Sequence, residues 1–379
     1  MLRRSWDWLR SQWWIVPAGM FVGVRLATFV EFWVIHRNRS GENPLQLLTQ
    51  WDAGWNSVIA HNGYVAMEGV GTSVDRWMTL AFFPIVPNAA RVLHQVSGMS
   101  IEKSGIVFSI LCGLAGAVVL WKVVQRRYSD QVATDALLLL LVAPYAFVFS
   151  MFYTEGPTLL LVALCFYALD RRWWVAAGLF ALVASAMRPN GFLLFVPCLV
   201  AAILALRETP DEGRRRPWIA LAAPVLAPLG FIAWVLYVGD RTGHLLEYFD
   251  IQRYGWGASI DFGRETWNSI WAIVFRESPS TNVVMNVAML AVIGVVGLVL
   301  CWRRRIEWVW SSYAIAVVVL TAINERQASS GRFLLLAFPL FVAFALSIPR
   351  RWYPTVVAMS AVLMGAFFYS ATGPGTLTP

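Results

Sequence analysis

Long apolar segments alternate with short polar ones along most of this 379-residue chain. A membrane-spanning helix needs about 20 mainly apolar residues, and eleven spans can be drawn on that basis. The segments at 156–170 and 173–187 are short for a full crossing, which favours tilted or broken helices there. The pattern therefore predicts an all-α polytopic membrane protein, with spans near 14–35, 104–124, 133–153, 156–170, 173–187, 191–206, 218–239, 281–302, 308–324, 333–348 and 353–371.

Two polar interruptions are long, at residues 36–103 and 240–280. Within the first, the stretch 78–87 is apolar but short and broken by proline, so it predicts an interfacial or re-entrant piece and not a span. Of the other connections only 207–217 has any length. We therefore expect a single transmembrane domain, residues 1–379, with two long loops.

The first long loop contains an amphipathic helical pattern. Leu48, Trp51, Trp55 and Ile59 recur at i, i+3, i+7 and i+11, and Asp52 flanks their stripe at roughly 40° on a helical wheel. Tryptophan is favoured at membrane surfaces, so the helix is predicted to lie at the interface. Asp52 is then either a solvated side chain or a carboxylate held at a functional site.

The composition agrees with a membrane protein. The chain is 58% hydrophobic and 14% charged, and it contains 20 Trp, whereas soluble domains are about 25% charged. The net charge of +8 does not indicate nucleic-acid binding, because the basic residues form short clusters at every second span boundary. This positive-inside pattern predicts a cytoplasmic N-terminus on an uncleaved first span and extracytoplasmic loops at 36–103 and 240–280. The clusters are Arg3-Arg4, Arg126-Arg127, Arg171-Arg172, Arg214-Arg215-Arg216, Arg303-Arg304-Arg305 and Arg350-Arg351.

No metal or cofactor motif is present in the sequence. The four Cys lie inside apolar segments, the four His lack the spacing of a metal cluster, and P-loop, HExxH and GxSxG motifs are absent. We therefore expect neither a cofactor nor a metal.

Two arginines stand at outer span boundaries, where the charge rule does not place them. Arg188 precedes Pro189, and Arg332 follows Gly331. A guanidinium suits a phosphate group, although headgroup contact or snorkelling is the alternative. Together with Asp52 they suggest chemistry on a lipid-linked phosphate, with the carboxylate as general base and the arginines at the leaving group. Arg25 and Glu31 of the first span are assigned no functional role, and a structural interpretation is favoured for both.

Six blocks in order carry a family resemblance. The chain resembles the PIG-V-type (GPI mannosyltransferase 2-like) membrane mannosyltransferases of the GT-C superfamily, and actinobacterial-type members most. It departs from their pattern at Ala258, at Phe333 and at Trp55-Asn56. The blocks are 50–55 with 59–64 (QWDAGW, IAHNGY), 81–84 (AFFP), 152–155 (FYTE), 184–191 (ASAMRPNG), Gln252 with 255–257 (GWG), and 329–333 (SSGRF) with 338–339 (FP).

This resemblance implies a GT-C fold and an inverting transfer of mannose at the outer face of a bacterial plasma membrane. The donor would be polyprenyl (or dolichyl) phosphate mannose. The acceptor would be a hydroxyl of an inositol- or mannose-containing glycolipid, or of a protein side chain. Asp52 would be the general base, and Arg332, ranked before Arg188, would bind the donor phosphate. Further substrate contacts would come from Trp51, Trp55, His61, Tyr64, Glu155, Asn190, Gln252 and Trp256, with Glu155 in a structural or acceptor-binding role.

A transporter or flippase for a lipid-linked sugar is the alternative function. Such proteins also have many spans and bind lipid phosphates, but this sequence shows no repeat symmetry and no matching interrupted spans in its two halves. Turnover by purified protein in detergent, where no second compartment exists, separates the two functions.

Overall fold

The computed structural model describes residues 12–37, 44–66, 76–208, 217–275, 279–325 and 329–372. These residues form helices, and one isolated antiparallel bridge, Ile260–Asn324, is the only β-type pairing among them. The α-helices are α1 Ile15–Arg37, α2 Pro44–Leu48, α3 Asp52–Asn62, α4 Ile85–Ser97, α5 Ile101–Arg127, α6 Asp130–Leu141, α7 Glu155–Asp170, α8 Trp174–Ser185, α9 Phe195–Arg207, α10 Ala222–Leu226, α11 Leu229–Thr242, α12 Glu247–Asp250, α13 Arg264–Phe275, α14 Thr281–Met289, α15 Gly297–Arg303, α16 Trp308–Ile323, α17 Ser330–Leu334, α18 Phe338–Ser347 and α19 Tyr353–Thr372.

Short 3₁₀ and π segments extend or join these helices. The 3₁₀ turns are Met78–Ala81, Ala146–Ser150, Pro189–Leu194 and Trp218–Leu221, and the π segments are Ile251–Gly255 and Leu290–Val296. The stretch predicted as an interfacial or re-entrant piece is the first 3₁₀ turn followed by the start of α4.

The all-helical membrane fold is confirmed. Among the described residues, six helical segments are long and apolar enough to cross a membrane: Ile15–Ile35, Ile101–Arg127, Pro189–Arg207, Trp218–Thr242, Thr281–Arg303 and Tyr353–Thr372. Three shorter apolar helices are α8, α16 and α18. The other two predicted spans coincide with α6 plus its following 3₁₀ turn and with α7.

The predicted span 133–153 is interrupted between α6 and the turn Ala146–Ser150. Pro144 falls in the gap and cannot donate a backbone hydrogen bond. The buried Arg25 guanidinium fills this region, donating to the Leu141 carbonyl at 2.8 Å, the Ala146 carbonyl at 2.5 Å and Ser150 Oγ at 3.2 Å. Carbonyls freed by a helix break inside a bilayer need such a partner, which gives Arg25 a structural role.

Close packing of α5 on α7 fixes the start of α7. A Cβ on Gly156 would lie 2.3 Å from the Ser109 carbonyl oxygen, so only glycine allows this approach. Ser109 Oγ also donates to the Tyr153 carbonyl at 2.8 Å. Glu155, the first residue of α7, is therefore held at a fixed position against α5.

The two ends of the bundle differ in chemistry. At one end Arg127, the last residue of α5, pairs with Asp170 at 2.7 Å and Glu307 at 3.1 Å. At the other end of the same 27-residue helix, roughly 40 Å away, Glu102 accepts a hydrogen bond from Ser57 of α3 at 2.7 Å. The loop with Asp52 thus lies at the opposite end of α5 from the Arg126-Arg127 cluster, as the charge pattern predicts.

Candidate active site

Asp52 is the first residue of α3, where the positive end of the helix dipole favours a carboxylate. The preceding Trp51 has φ 59° and ψ −128°, a conformation that is costly for a bulky residue and that clusters at functional sites. Trp51 Nε1 donates to the Ala371 carbonyl of α19 at 3.3 Å. The last helix therefore helps to hold the strained turn that presents Asp52.

Arg332 joins two carboxylates that are distant in sequence. Its NH1 lies 2.5 Å from Asp52 Oδ2, and its Nε lies 3.4 Å from Glu155 Oε1. Arg332 is 5% exposed and Glu155 0%, whereas the Asp52 side chain is 33% exposed. Asp52 is thus the member of this group that remains accessible.

Arg188 binds the same buried carboxylate. Its NH1 donates to Glu155 Oε1 at 2.9 Å. Arg188 is extended, with φ −164° and ψ 156°, because Pro189 excludes the helical conformation from the residue before it. The helix break between α8 and α9 also requires glycine at position 191, since a Cβ there would lie 2.0 Å from the Ala184 carbonyl oxygen.

A buried amide on α14 positions the helix that carries Arg332. Asn286 Oδ1 accepts from the Gly331 backbone N–H at 2.9 Å and from the Tyr145 hydroxyl at 3.1 Å. The Arg332 guanidinium lies over the Tyr153 ring, 5.2 Å from its centroid. Sequence reasoning missed Asn286 and Tyr145, although an asparagine inside a predicted span was a detectable signal.

These groups border a cavity of about 140 Å³. The structure brings Asp52, Arg188, Asn190, Gln252 and Arg332 together there, although they come from four separate parts of the sequence. The remaining lining residues are Asn56, Ala81, Phe82, Phe83, Thr154, Met187, Pro189, Trp256, Ala258, Asn324, Ser329 and Phe333. Glu155 lies behind Arg188 and Arg332 and is not part of this lining.

An aromatic cluster joins the two long loops beside the cavity. Trp55 stacks on Phe82 with ring centroids 5.8 Å apart, and Trp256 meets Trp55 edge-on at 5.5 Å. Gln252 Nε2 donates to the Ala81 carbonyl at 3.1 Å and so ties the second loop to the first. Trp55, Phe82 and Trp256 thus form an aromatic wall beside the cavity, and Gln252 ties the second loop to the first next to it.

Three positions that depart from the family pattern also border the cavity, namely Asn56, Ala258 and Phe333. The Phe333 ring lies 5.5 Å from the Arg188 guanidinium and 5.6 Å from that of Arg332, so it serves as a cation–π surface without a hydroxyl. Asn56, one turn after Asp52, is buried and donates to the Phe152 carbonyl at 3.2 Å. Its amide therefore links α3 to the chain just before Glu155.

His61 lies away from this cavity, with Glu102. His61 Nε2 is 2.9 Å from Glu102 Oε1, which also accepts from Ser57. The pair borders a separate open groove that Leu45, Thr49, Gly54, Val58 and Asn62 also line. The substrate-binding role of His61 stays a prediction.

Tyr64 and Trp51 do not line the cavity either. Tyr64 donates to the Phe82 carbonyl at 3.0 Å and packs on Trp234, so it supports the aromatic wall from behind. Burial raises the pKa of the Tyr64 phenol well above its ordinary value, which keeps it a neutral donor. Trp51 acts on the site through the backbone of Asp52.

The arrangement contains two guanidiniums and two carboxylates, so its formal charges balance. Charged groups held in a low-dielectric cavity act strongly on charge that develops during a reaction. Both carboxylates already lie against guanidiniums, which is not the donor set of a bound divalent cation. A carboxylate accessible to a hydroxyl, next to cations that suit a phosphate, can carry out proton abstraction coupled to departure of a phosphate.

Comparisons with known proteins support a glycosyltransferase-like fold. The profile of a family described as dolichyl-phosphate-mannose-protein mannosyltransferase matches residues 84–237, which is less than half of the chain. The fold is similar to that of ArnT from Cupriavidus metallidurans bound to undecaprenyl phosphate. The TM-score is 0.54 and the identity 18%, over 93% of this chain and 65% of that one.

The apo structure of the same ArnT gives a TM-score of 0.55 and 16% identity, over 93% of this chain and 64% of ArnT. The chain thus spans slightly less than two thirds of ArnT. No curated protein matches it in sequence. At this identity the likeness establishes a fold shared with ArnT, whereas the GT-C superfamily and its PIG-V type remain a resemblance.

Proposed function

We propose that this protein is a membrane glycosyltransferase that moves mannose from a polyprenyl-phosphate donor to a hydroxyl of a glycolipid at the extracytoplasmic face. The observation that carries the proposal is the cavity lined by Asp52, Arg332 and Arg188, in which Asp52 pairs with Arg332 and both arginines lie against the buried Glu155. The partial match to a mannosyltransferase family supports the reaction class. The undecaprenyl phosphate bound to ArnT supports the class of lipid carrier.

The transfer is a single displacement. The acceptor oxygen bonds to C1 of the sugar, its proton passes to Asp52, and the bond from C1 to the phosphate oxygen breaks with its electrons on the phosphate. The leaving phosphate gains one negative charge, which Arg332 and Arg188 stabilise. A single displacement inverts the configuration at C1.

Arg332 neutralises Asp52 through their ion pair. We propose that the donor phosphate draws the Arg332 guanidinium toward itself, because it offers a competing anion. Asp52 then becomes available to the acceptor hydroxyl. Glu155 keeps both arginines oriented during this exchange, since it is fully buried and lies against both of them.

The size of the cavity favours a donor whose lipid lies outside it. Pockets that enclose a whole small ligand measure about 300–1,000 Å³, whereas this cavity measures about 140 Å³. It suits the sugar and phosphate end of the donor. The prenyl chain would lie among the membrane-spanning helices.

The test is turnover by purified protein in detergent with defined donors. Polyprenyl phosphate mannose and a glycolipid extract should yield a mannosylated lipid by mass spectrometry, and GDP-mannose alone should yield none. Product from GDP-mannose without any polyprenyl phosphate would refute the donor assignment. Failure with every lipid-linked sugar, together with movement of such lipids across vesicles, would favour the transporter.

A further inference from the structure

A group of three metal-ligating side chains lies in the second long loop, outside the cavity lining. His244 follows the Gly243 turn that ends α11, and Glu247 and Asp250 are the first and last residues of α12. One ligand atom from each lies within 4.8 Å of the other two. No other group of this kind occurs in the described part of the chain.

Two of the three spacings within this group match a small transition-metal ion. Zn²⁺ with bonds of about 2.0–2.1 Å in tetrahedral geometry separates its ligand atoms by about 3.3–3.4 Å. His244 Nδ1 lies 3.4 Å from Glu247 Oε2 and 3.6 Å from Asp250 Oδ2. Two of the three ligand–ligand distances are therefore close to those around a tetrahedral ion, and the third is within 4.8 Å.

The buried carboxylate of Glu247 provides a second, independent reason. Glu247 is 7% exposed, and its Oε1 has no hydrogen-bond partner among the described residues. A buried carboxylate oxygen without a partner is costly. The pair between Oε2 and the exposed His244 leaves Oε1 unsatisfied. A cation held by the three side chains and contacted by both carboxylate oxygens of Glu247 gives Oε1 a partner and compensates the charge.

We propose that His244, Glu247 and Asp250 bind one Zn²⁺-like divalent cation, with water at the fourth position. The imidazole nitrogen favours zinc and similar ions over Mg²⁺ and Ca²⁺, which prefer oxygen ligands. The site is structural, since none of the three residues lines the cavity.

Bound metal would stiffen the wall of the cavity. Tyr248 lies between Glu247 and Asp250 in sequence and is buried, and Gln252 is the second residue of the following π segment, Ile251–Gly255. Gln252 donates to both the Tyr248 hydroxyl at 3.3 Å and the Ala81 carbonyl. An ion that joins the Gly243 turn to α12 therefore limits the motion of the segment that carries Gln252.

The experiment is direct zinc binding to purified, tag-free protein, which does not depend on any transferase assay. Mass-spectrometric metal analysis and calorimetric titration with Zn²⁺ should show one ion per chain. Glu247→Gln and Asp250→Asn, which keep side-chain shape, should each weaken binding about tenfold or more. Excess Mg²⁺ should not displace the zinc.

The matched control is Asp240→Asn, an exposed carboxylate near the end of α11 that lies outside the group. It should bind zinc as the wild type does. Absence of saturable zinc binding by folded wild-type protein, or equal binding by the Glu247→Gln and control variants, would overturn the proposal. Size-exclusion chromatography of each variant establishes that it is folded.

Discussion

Replacement of Asp52 by asparagine tests the role of the accessible carboxylate. The change preserves shape and removes the ability to accept a proton. Loss of a general base slows a reaction by about 10²–10⁴-fold. At about 1.36 kcal/mol per factor of ten, the barrier should rise by about 2.7–5.4 kcal/mol.

The structure indicates that the protein should remain folded and bind donor. Hydrogen bonds to charged groups contribute about 1.5–3 kcal/mol each, and the asparagine carbonyl can still accept from Arg332 NH1. Arg332 also keeps Glu155, 3.4 Å from its Nε. The loss should therefore fall on turnover and not on stability.

The assay compares single-turnover rates and donor-lipid binding for wild type and Asp52→Asn. Glu102→Gln is the control, because Glu102 contacts the same helix through Ser57 and His61 in the separate groove. It should transfer at close to the wild-type rate. Asp52→Asn activity within about threefold of wild type is far too high for a lost general base and would refute the assignment.

The remaining predictions concern phosphate binding, positioning, metals and topology. Arg332→Ala should lower kcat/KM for the donor by about 10–100-fold, since a hydrogen bond to a charged group is lost. Arg332→Lys should retain only part of the wild-type kcat/KM for the donor, and a wild-type value would contradict a role for the guanidinium fork. Asn286→Ala should lower kcat/KM for the donor, because the Gly331 N–H that positions Arg332 loses its acceptor. An unchanged kcat/KM for the donor would show that Asn286 only packs. Transfer should continue in excess EDTA, although removal of the proposed structural zinc is expected to slow it; abolition with rescue by Mn²⁺ would contradict metal-independent chemistry. A cysteine at position 40, but not at position 5, should be labelled from outside intact cells, and labelling at position 5 would reverse the predicted orientation.

Much of the architecture was predictable from hydrophobic periodicity. Segment length and apolar content report whether a stretch lies in lipid, so the spans coincide with helices in the structure. Charge patterning identified the opposite ends of the bundle, because arginine clusters avoid translocation. Arg188 and Arg332 stood out against that rule, and both border the cavity.

The pairings within the site required the tertiary structure. Asp52 and Arg332 are 280 residues apart, and local periodicity carries no information about which distant side chains meet. Glu155 as the shared partner of two arginines, and His61 turned toward Glu102, depend on how the helices pack against each other.

The sequence by itself therefore predicted which segments form apolar helices and that the Asp52 loop lies at the end of the bundle opposite the Arg127 cluster, since those properties follow from the solvation of each stretch. Only the tertiary structure decided that Arg332 rests on Asp52 and that Asn286 holds the Gly331 N–H. Such contacts arise from side-chain packing and hydrogen bonding between helices, in which the position of each group depends on all of its neighbours.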